Sequence, residues 1–314
     1  MMTVEGSIRQ PFCDSRVASE HESEEGCMTL TEKDTVARFD RLVDAGIINY
    51  DYTQATEYRR IAGLDFEFRV SKVLKDKPAD TTSPPSTGNG SVVPKQRPGS
   101  DINTHGSEIG QLDESHFLTF NGYSCYRPHY LILTLDGHRR QWEPLCIDDF
   151  RAVYAFFEAY GEDYLVFFNG GVEAGCSRLH KHLQAIPNES FDGNPWRNLD
   201  ENSDAMPFTY FEKKLGMNLN PEASLAAYTA ALEMVQRIRG CEIPQQDRAP
   251  PHNVIMDRDR ILVIPRRAAG NGLVGVNAMG MLGMIWTQSE ESLQLWLDAG
   301  PHTVLEHVGF PRRV

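Results

Sequence analysis

One stretch constrains the fold more than any other. An apolar run from Tyr164 to Phe168 leads into a loop, Asn169 to Arg178, that carries Gly170, Gly171 and Gly175, and a second strand-like run follows from Leu179 to Ile186, ended by Pro187. Short apolar runs punctuated by glycine and proline read as strands, so this unit must feed a sheet. Side chains alternate along a strand. His180, His182 and Gln184 are therefore predicted to share one face, with Lys181 and Leu183 on the other.

Around this unit, strand and helix patterns interleave. A capping box from Thr31 to Asp34 opens a helix whose face carries Val36, Phe39, Leu42 and Val43, with Gly46 as a stop. A strand is predicted over Phe66 to Val70, and Phe117 to Asn121 with Tyr130 to Leu135 reads as an antiparallel pair around a turn from Gly122 to Pro128. Asp148 to Tyr160 reads as a helix with Phe150, Val153, Tyr154 and Phe157 inward, and about Ala223 to Arg239 as another with Leu225, Tyr228, Leu232, Val235 and Ile238 inward. Asn253 to Met256 and Ile261 to Ile264 form a predicted hairpin around Asp257 to Arg260. Strands dominate the middle and helices punctuate it. The fold class is α+β, with a central, mainly antiparallel sheet flanked by helices. Residues 1–30, with Glu20, Glu22, Glu24 and Glu25 and no periodicity, read as a disordered acidic tail, and 31–314 as a single domain. A flexible loop is expected at about 78–110, rich in Pro, Ser, Thr and Gly.

Composition excludes several functions. The formal net charge of −13 argues against a duplex nucleic acid partner, which needs clustered Lys and Arg. No apolar run is long enough to span a bilayer, and the N-terminus lacks a secretory pattern, so no membrane partner and a cytoplasmic address, with the nucleus compatible, are expected. Six scattered cysteines without a CxxC pair suggest reduced thiols.

The chemistry centres on the His180–Gln184 run. A neutral imidazole is the best nitrogen nucleophile that side chains offer near pH 7 and can carry a transferred nucleotidyl group. Gln184 can donate a hydrogen bond to a phosphate oxygen but cannot deliver a proton to a leaving group, which suits a leaving group that needs none. The glycine loop offers backbone N–H groups and the Ser177 hydroxyl to an anion. Spacing alone leaves two other readings open, a structural pair and a metal site completed by His252 or Glu189.

In Asn169, Gly171, Ser177, His180, His182 and Gln184, in that order, the chain resembles the histidine triad superfamily, and within it the ATP adenylyltransferase branch, or diadenosine tetraphosphate phosphorylases, with HxHxQ in place of HxHxH. Looser similarity covers Leu74 to Pro78, Phe117 to Leu133, Asn253 to Arg266 and Asn277 to Met284. The resemblance implies a HIT-like fold and phosphorolysis of diadenosine tetraphosphate to ATP and ADP through a nucleotidyl-histidine on His182. His180 would orient His182, and Gln184 would hold a non-bridging oxygen. Asn169, Gly170, Gly171 and Ser177 would line the phosphate path, with Lys77 as a distal clamp. It implies a dinucleoside polyphosphate and inorganic phosphate as partners, no tightly bound cofactor and no protein-bound metal, with magnesium accompanying the nucleotide.

Composition alone makes Lys77 a solvated lysine. Asn121 either touches the nucleoside or caps its turn, and Arg266 and Arg267 are expected to face water. His302 and His307 receive no role. Arg178, Leu179 and Gln288 depart from the family pattern and put the acceptor site in question. Two rival readings remain, a GDP-hexose phosphorylase of the same superfamily and a catalytically silent nucleotide-binding relative.

Overall fold

The computed structural model describes residues 32–77, 97–161, 163–189, 194–216, 220–240 and 248–312. The chain opens with α1 (Glu32–Asp44), the short β1 (Asn49–Tyr50) and the hairpin of β2 (Ala55–Ile61) and β3 (Leu64–Val70). A 3-10 turn over Lys72–Lys75 follows. Next come β4 (Glu108–Gln111), β5 (His116–Phe120), β6 (Tyr123–Ser124), β7 (Tyr130–Thr134), α2 (Ile147–Tyr160), β8 (Tyr164–Gly170) and β9 (His182–Pro187). The rest runs α3 (Leu199–Asn202), β10 (Phe211–Lys214), α4 (Pro221–Arg239), β11 (His252–Met256), β12 (Arg260–Pro265), α5 (Ala278–Met281), β13 (Met284–Thr287), α6 (Glu290–Ala299) and α7 (Pro301–Val308).

Eight strands form the central sheet in the order β10-β12-β11-β8-β9-β7-β5-β4, every neighbouring pair antiparallel. The α+β architecture expected from the patterning is the one observed. β8 lies at its middle and all seven of its residues are buried, because both sheet faces are covered. One face packs Val166, Phe168, Leu183 and Val254 under α2 and α4, through Phe150, Val153, Phe157 and Tyr228. The other packs Leu165, Phe167, Ile186 and Ile255 against Phe66 and Phe68 of β3 and against residues of α5, β13, α6 and α7. There β13, β3 and β2 make a second, three-stranded sheet.

The predicted helices start and stop for local reasons. Asn220 accepts a hydrogen bond from Ala223 N at the head of α4, with Pro221 in its first turn and Gly240 left-handed at its end. The buried stripe of α4 is Ser224, Tyr228, Ala231 and Val235; Leu225 and Leu232 flank it half-buried, and Ile238, expected inward, is exposed. Small residues at 224 and 231 form the contact line, and the Ser224 hydroxyl meets Tyr154 Oη of α2 at 2.9 Å. The capping residue Thr31, the acidic tail and positions 78–96 of the expected loop lie outside the described residues. The remainder of that loop, 97–110, is built into the fold: Ile102 is buried, β4 begins at Glu108, and Arg97 pairs with Glu108 at 3.2 Å. No helix among the described residues is long and apolar enough to cross a membrane.

Candidate active site

β9 places His182 and Gln184 on the sheet face shared by Leu133 and Leu131, their partners on β7, and by Phe167, the partner of Gln184 on β8. Asn169, two residues beyond Phe167, continues the same face from β8. The alternation expected for His182 and Gln184 holds.

It fails for His180. The strand begins at His182 rather than Leu179, and His180 makes only an isolated bridge to Arg140. Segment 97–104 is the cause: the Asp101 carboxylate accepts Leu179 N at 2.7 Å and His180 N at 2.9 Å. The His180 ring is fully buried and engaged by other partners. Its Nε2 donates to the Thr134 carbonyl at 3.0 Å, and its Nδ1 accepts from Ser100 Oγ at 2.9 Å. What it presents to His182 is its backbone. The His180 carbonyl, an acceptor only, lies 2.8 Å from His182 Nδ1, so that nitrogen must carry the proton. His182 Nε2 has no hydrogen-bond partner among the described residues and carries the lone pair. The ring is 5 % exposed, and burial, aided by the nearby His180 and Lys77, takes its pKa down to about 4, so it is neutral at pH 7.

Gln184 Oε1 meets His129 Nε2 at 3.0 Å, while the Gln184 amide nitrogen has no hydrogen-bond partner among the described residues. His129 carries no site signal in composition. Continuing the period-two alternation back from Tyr130, however, puts it on the face of Leu131 and Leu133. Asn121 takes the capping role: its Oδ1 accepts Tyr123 N at 3.0 Å.

Lys77 is not the solvated lysine that composition suggests. It is half-buried, and desolvation together with the charge of Arg178 lowers its pKa. It lines a cleft of ≈ 380 Å³ walled also by Gly175, Cys176, Asn277, Trp286 and Trp296. Ser177 is exposed on the loop leading into His180.

Behind the glycine loop lies a polar network that sequence reasoning missed. Asn169 Oδ1 accepts from Asn253 Nδ2 at 2.9 Å and from Ala278 N at 2.8 Å. Arg266, expected in water, is fully buried. It donates to Asn253 Oδ1 at 2.6 Å and to the carbonyls of Ala268 (2.8 Å), Val276 (2.9 Å) and Ala174 (3.3 Å). A guanidinium's fork of five donors suits a nest of carbonyls left over by loops, which explains its burial. Arg267 is exposed. Gly175 is left-handed (φ 86°), and a Cβ there would collide with the Val276 carbonyl. Gly170 is crowded by His252, so it serves packing as well as the loop.

The metal reading finds no support in the geometry. The His252 ring is held by Pro250 O at 2.7 Å and Tyr228 Oη at 3.1 Å, and Glu189 pairs with Arg69 at 2.8 Å. Neither joins His182, and no group of three His, Cys, Asp or Glu among the described residues is arranged to hold a metal.

Residues 52–196 match the model of the Ap4A phosphorylase N-terminal domain, and residues 204–311 match that of the ATP adenylyltransferase C-terminal domain. The chain belongs to the Ap4A phosphorylase / ATP adenylyltransferase family. Both matched regions contribute strands to the one central sheet. A curated relative, diadenosine 5',5'''-P1,P4-tetraphosphate phosphorylase 2 of Saccharomyces cerevisiae, is 28% identical over 179 residues, 48% of this chain and 53% of that protein; the match spans about half the relative's length. The crystal structure of yeast Ap4A phosphorylase Apa2 shares the fold with a TM-score of 0.70 at 17% identity, covering 90% of this chain and 98% of that one. Its complex with Ap4A gives 0.66 at 19% identity, covering 90% of this chain and 98% of that one.

Proposed function

We propose that the protein is a nucleotidyltransferase of the histidine triad type that phosphorolyses diadenosine tetraphosphate to ATP and ADP. The observation that carries this reading is the His182 ring, neutral, locked by the His180 carbonyl through Nδ1, with Nε2 unpartnered among the described residues. In the first step the Nε2 lone pair attacks the α-phosphorus and the bond to the bridging oxygen breaks. ATP leaves, and AMP stays on His182. In the second, a phosphate oxygen attacks the same phosphorus, ADP forms, and the imidazole is released with its Nδ1 proton in place.

A polyphosphate leaves without being protonated, so the site has no need of a third histidine, and the Gln184 amide nitrogen, unpartnered among the described residues, is free to hold a non-bridging oxygen. Asn169, Gly171 and Ser177 border the path of the phosphate chain, and Lys77 supplies a cation in the adjoining cleft. The members of the family are named for Ap4A phosphorolysis, and the fold likeness extends to an Ap4A complex.

The test is product analysis with diadenosine tetraphosphate or a GDP-hexose, each with and without inorganic phosphate. ATP plus ADP appearing only with phosphate is expected; GDP plus hexose-1-phosphate would transfer the reading to the guanine nucleotide, and no turnover of either would leave a nucleotide-binding protein. His182→Ala is expected to abolish both covalent labelling and turnover while the protein stays folded.

A further inference from the structure

We propose that His129 is a positioning residue that sets the orientation of the Gln184 amide, holding its oxygen so that its NH₂ end faces the reacting phosphate. This rests on the nucleotidyl-transfer reading above.

The two ends of a glutamine amide have nearly the same shape and opposite electrostatics. Turned one way, Gln184 donates to a phosphate oxygen; turned the other, it points a carbonyl lone pair at an anion. Nothing in its own strand decides between them. The decision falls to the one side chain among the described residues within hydrogen-bond distance of Oε1, His129 at 3.0 Å. An oxygen at that distance needs a donor, which places the ring proton on Nε2. Asn121 Nδ2 also approaches Nε2, at 3.4 Å, a contact too long to compete with the shorter bond.

The ring is built to be immobile. It is 1 % exposed, it meets Trp286 edge-on with centroids 5.6 Å apart, and Phe167 packs at 6.3 Å. Burial keeps it neutral, so it has a single N–H to place. Its Nδ1 is buried without a hydrogen-bond partner among the described residues, a desolvation penalty that the fold tolerates. A histidine kept only for packing would be replaceable by a ring without that penalty. The chemistry that justifies it lies at Nε2.

Two measurements decide the proposal. In the full-length wild-type protein, the ¹⁵N shifts of His129 should show a protonated Nε2 and an unprotonated Nδ1; the opposite tautomer overturns the proposal, whatever the activity. In diadenosine tetraphosphate phosphorolysis, His129→Phe is expected to lower kcat by about 10- to 100-fold, the loss of one hydrogen bond to a charged group, with KM little changed. Added to Gln184→Ala, the same change should cost less than about 2-fold, because its effect runs through the amide. Independent, additive losses would show a purely structural ring and overturn the idea, as would an unchanged kcat. If His129→Phe does not fold, His129→Leu, which likewise lacks a donor, replaces it in the same cycle. Absence of wild-type turnover would sink the functional reading while the tautomer still decides whether His129 holds the amide.

Discussion

The reactivity assigned to His182 is a property of one ring and its two nitrogens. An exposed histidine is half-protonated near pH 6.5, and the protonated form has no lone pair to attack phosphorus. Burial lowers that point to about 4 here, while the bond to the His180 carbonyl works in the opposite direction. The rate of covalent nucleotidylation of His182 in a single turnover without phosphate should therefore stay level from pH 7 to about pH 5 and fall only below. Omitting phosphate removes the titration of the acceptor from the profile. An acid limb centred near pH 6.5 would mean that the nucleophile is solvated or is another group. The same scale explains Arg266: five acceptors within reach, four of them backbone carbonyls, make water the poorer partner for it.

At the scale of elements, the start of β9 is held from both sides. On one side, Asp101 of segment 97–104 takes Leu179 N and His180 N; on the other, Lys181 crosses to α2, donating to Asp149 at 2.6 Å and to Pro144 O at 2.8 Å. Asp149 also accepts from Cys146 N at the head of α2 and from His116 Nε2 at 3.2 Å. All three charged side chains are buried, so the neighbouring charges hold the His116 pKa up and the Asp149 pKa down against their own desolvation. Removing one member of such a buried pair strands the other. Lys181→Met is expected to destabilise the protein by about 3 kcal/mol in urea denaturation, and a loss within 0.5 kcal/mol would show that water already shares the site. A lysine between two histidines gives no hint of this by itself, because its partner lies 32 residues earlier in the chain.

At the scale of the whole molecule, buried neutral imidazoles on the sheet link folding to pH. His182 and His252 have pKa values lowered to about 4 and His129 to about 3, chiefly by burial, against about 6.5 in an unfolded chain. Below pH 6.5 the unfolded state binds protons that the folded state refuses, so the stability these rings contribute is fully present above pH 6.5 and drains away as pH falls toward 4. His116, with a raised pKa, acts in the opposite sense, adding stability below pH 6.5 that is lost as pH rises through its folded value. His180, also lowered by burial, adds a fourth ring to the three, and four outweigh one: Tm should be lower at pH 5 than at pH 7, and an equal or higher Tm at pH 5 would contradict this balance.

The sequence alone determined α1, α2 and α4, the hairpin of β11 and β12, and the β9 face carrying His182 and Gln184. Periodicity, caps and glycines are local signals, and each of these features is local. The glycine at 175 was legible as a loop residue, and its left-handed backbone shows why no side chain fits there. Tertiary structure decided what depends on distant chain segments. Ser100 and Asp101, about 80 residues before His180, bend it out of the strand and convert its role from ring to carbonyl. His129 reaches Gln184 only because β7 lies beside β9, and Arg266 is buried only because the turn at Ala174, the loop between β12 and α5 and the end of α7 leave carbonyls facing one another. A neutral His182 with its lone pair on Nε2 is therefore set by tertiary structure: desolvation and hydrogen-bond partners come from the surroundings, and no spacing of residues along the chain encodes them.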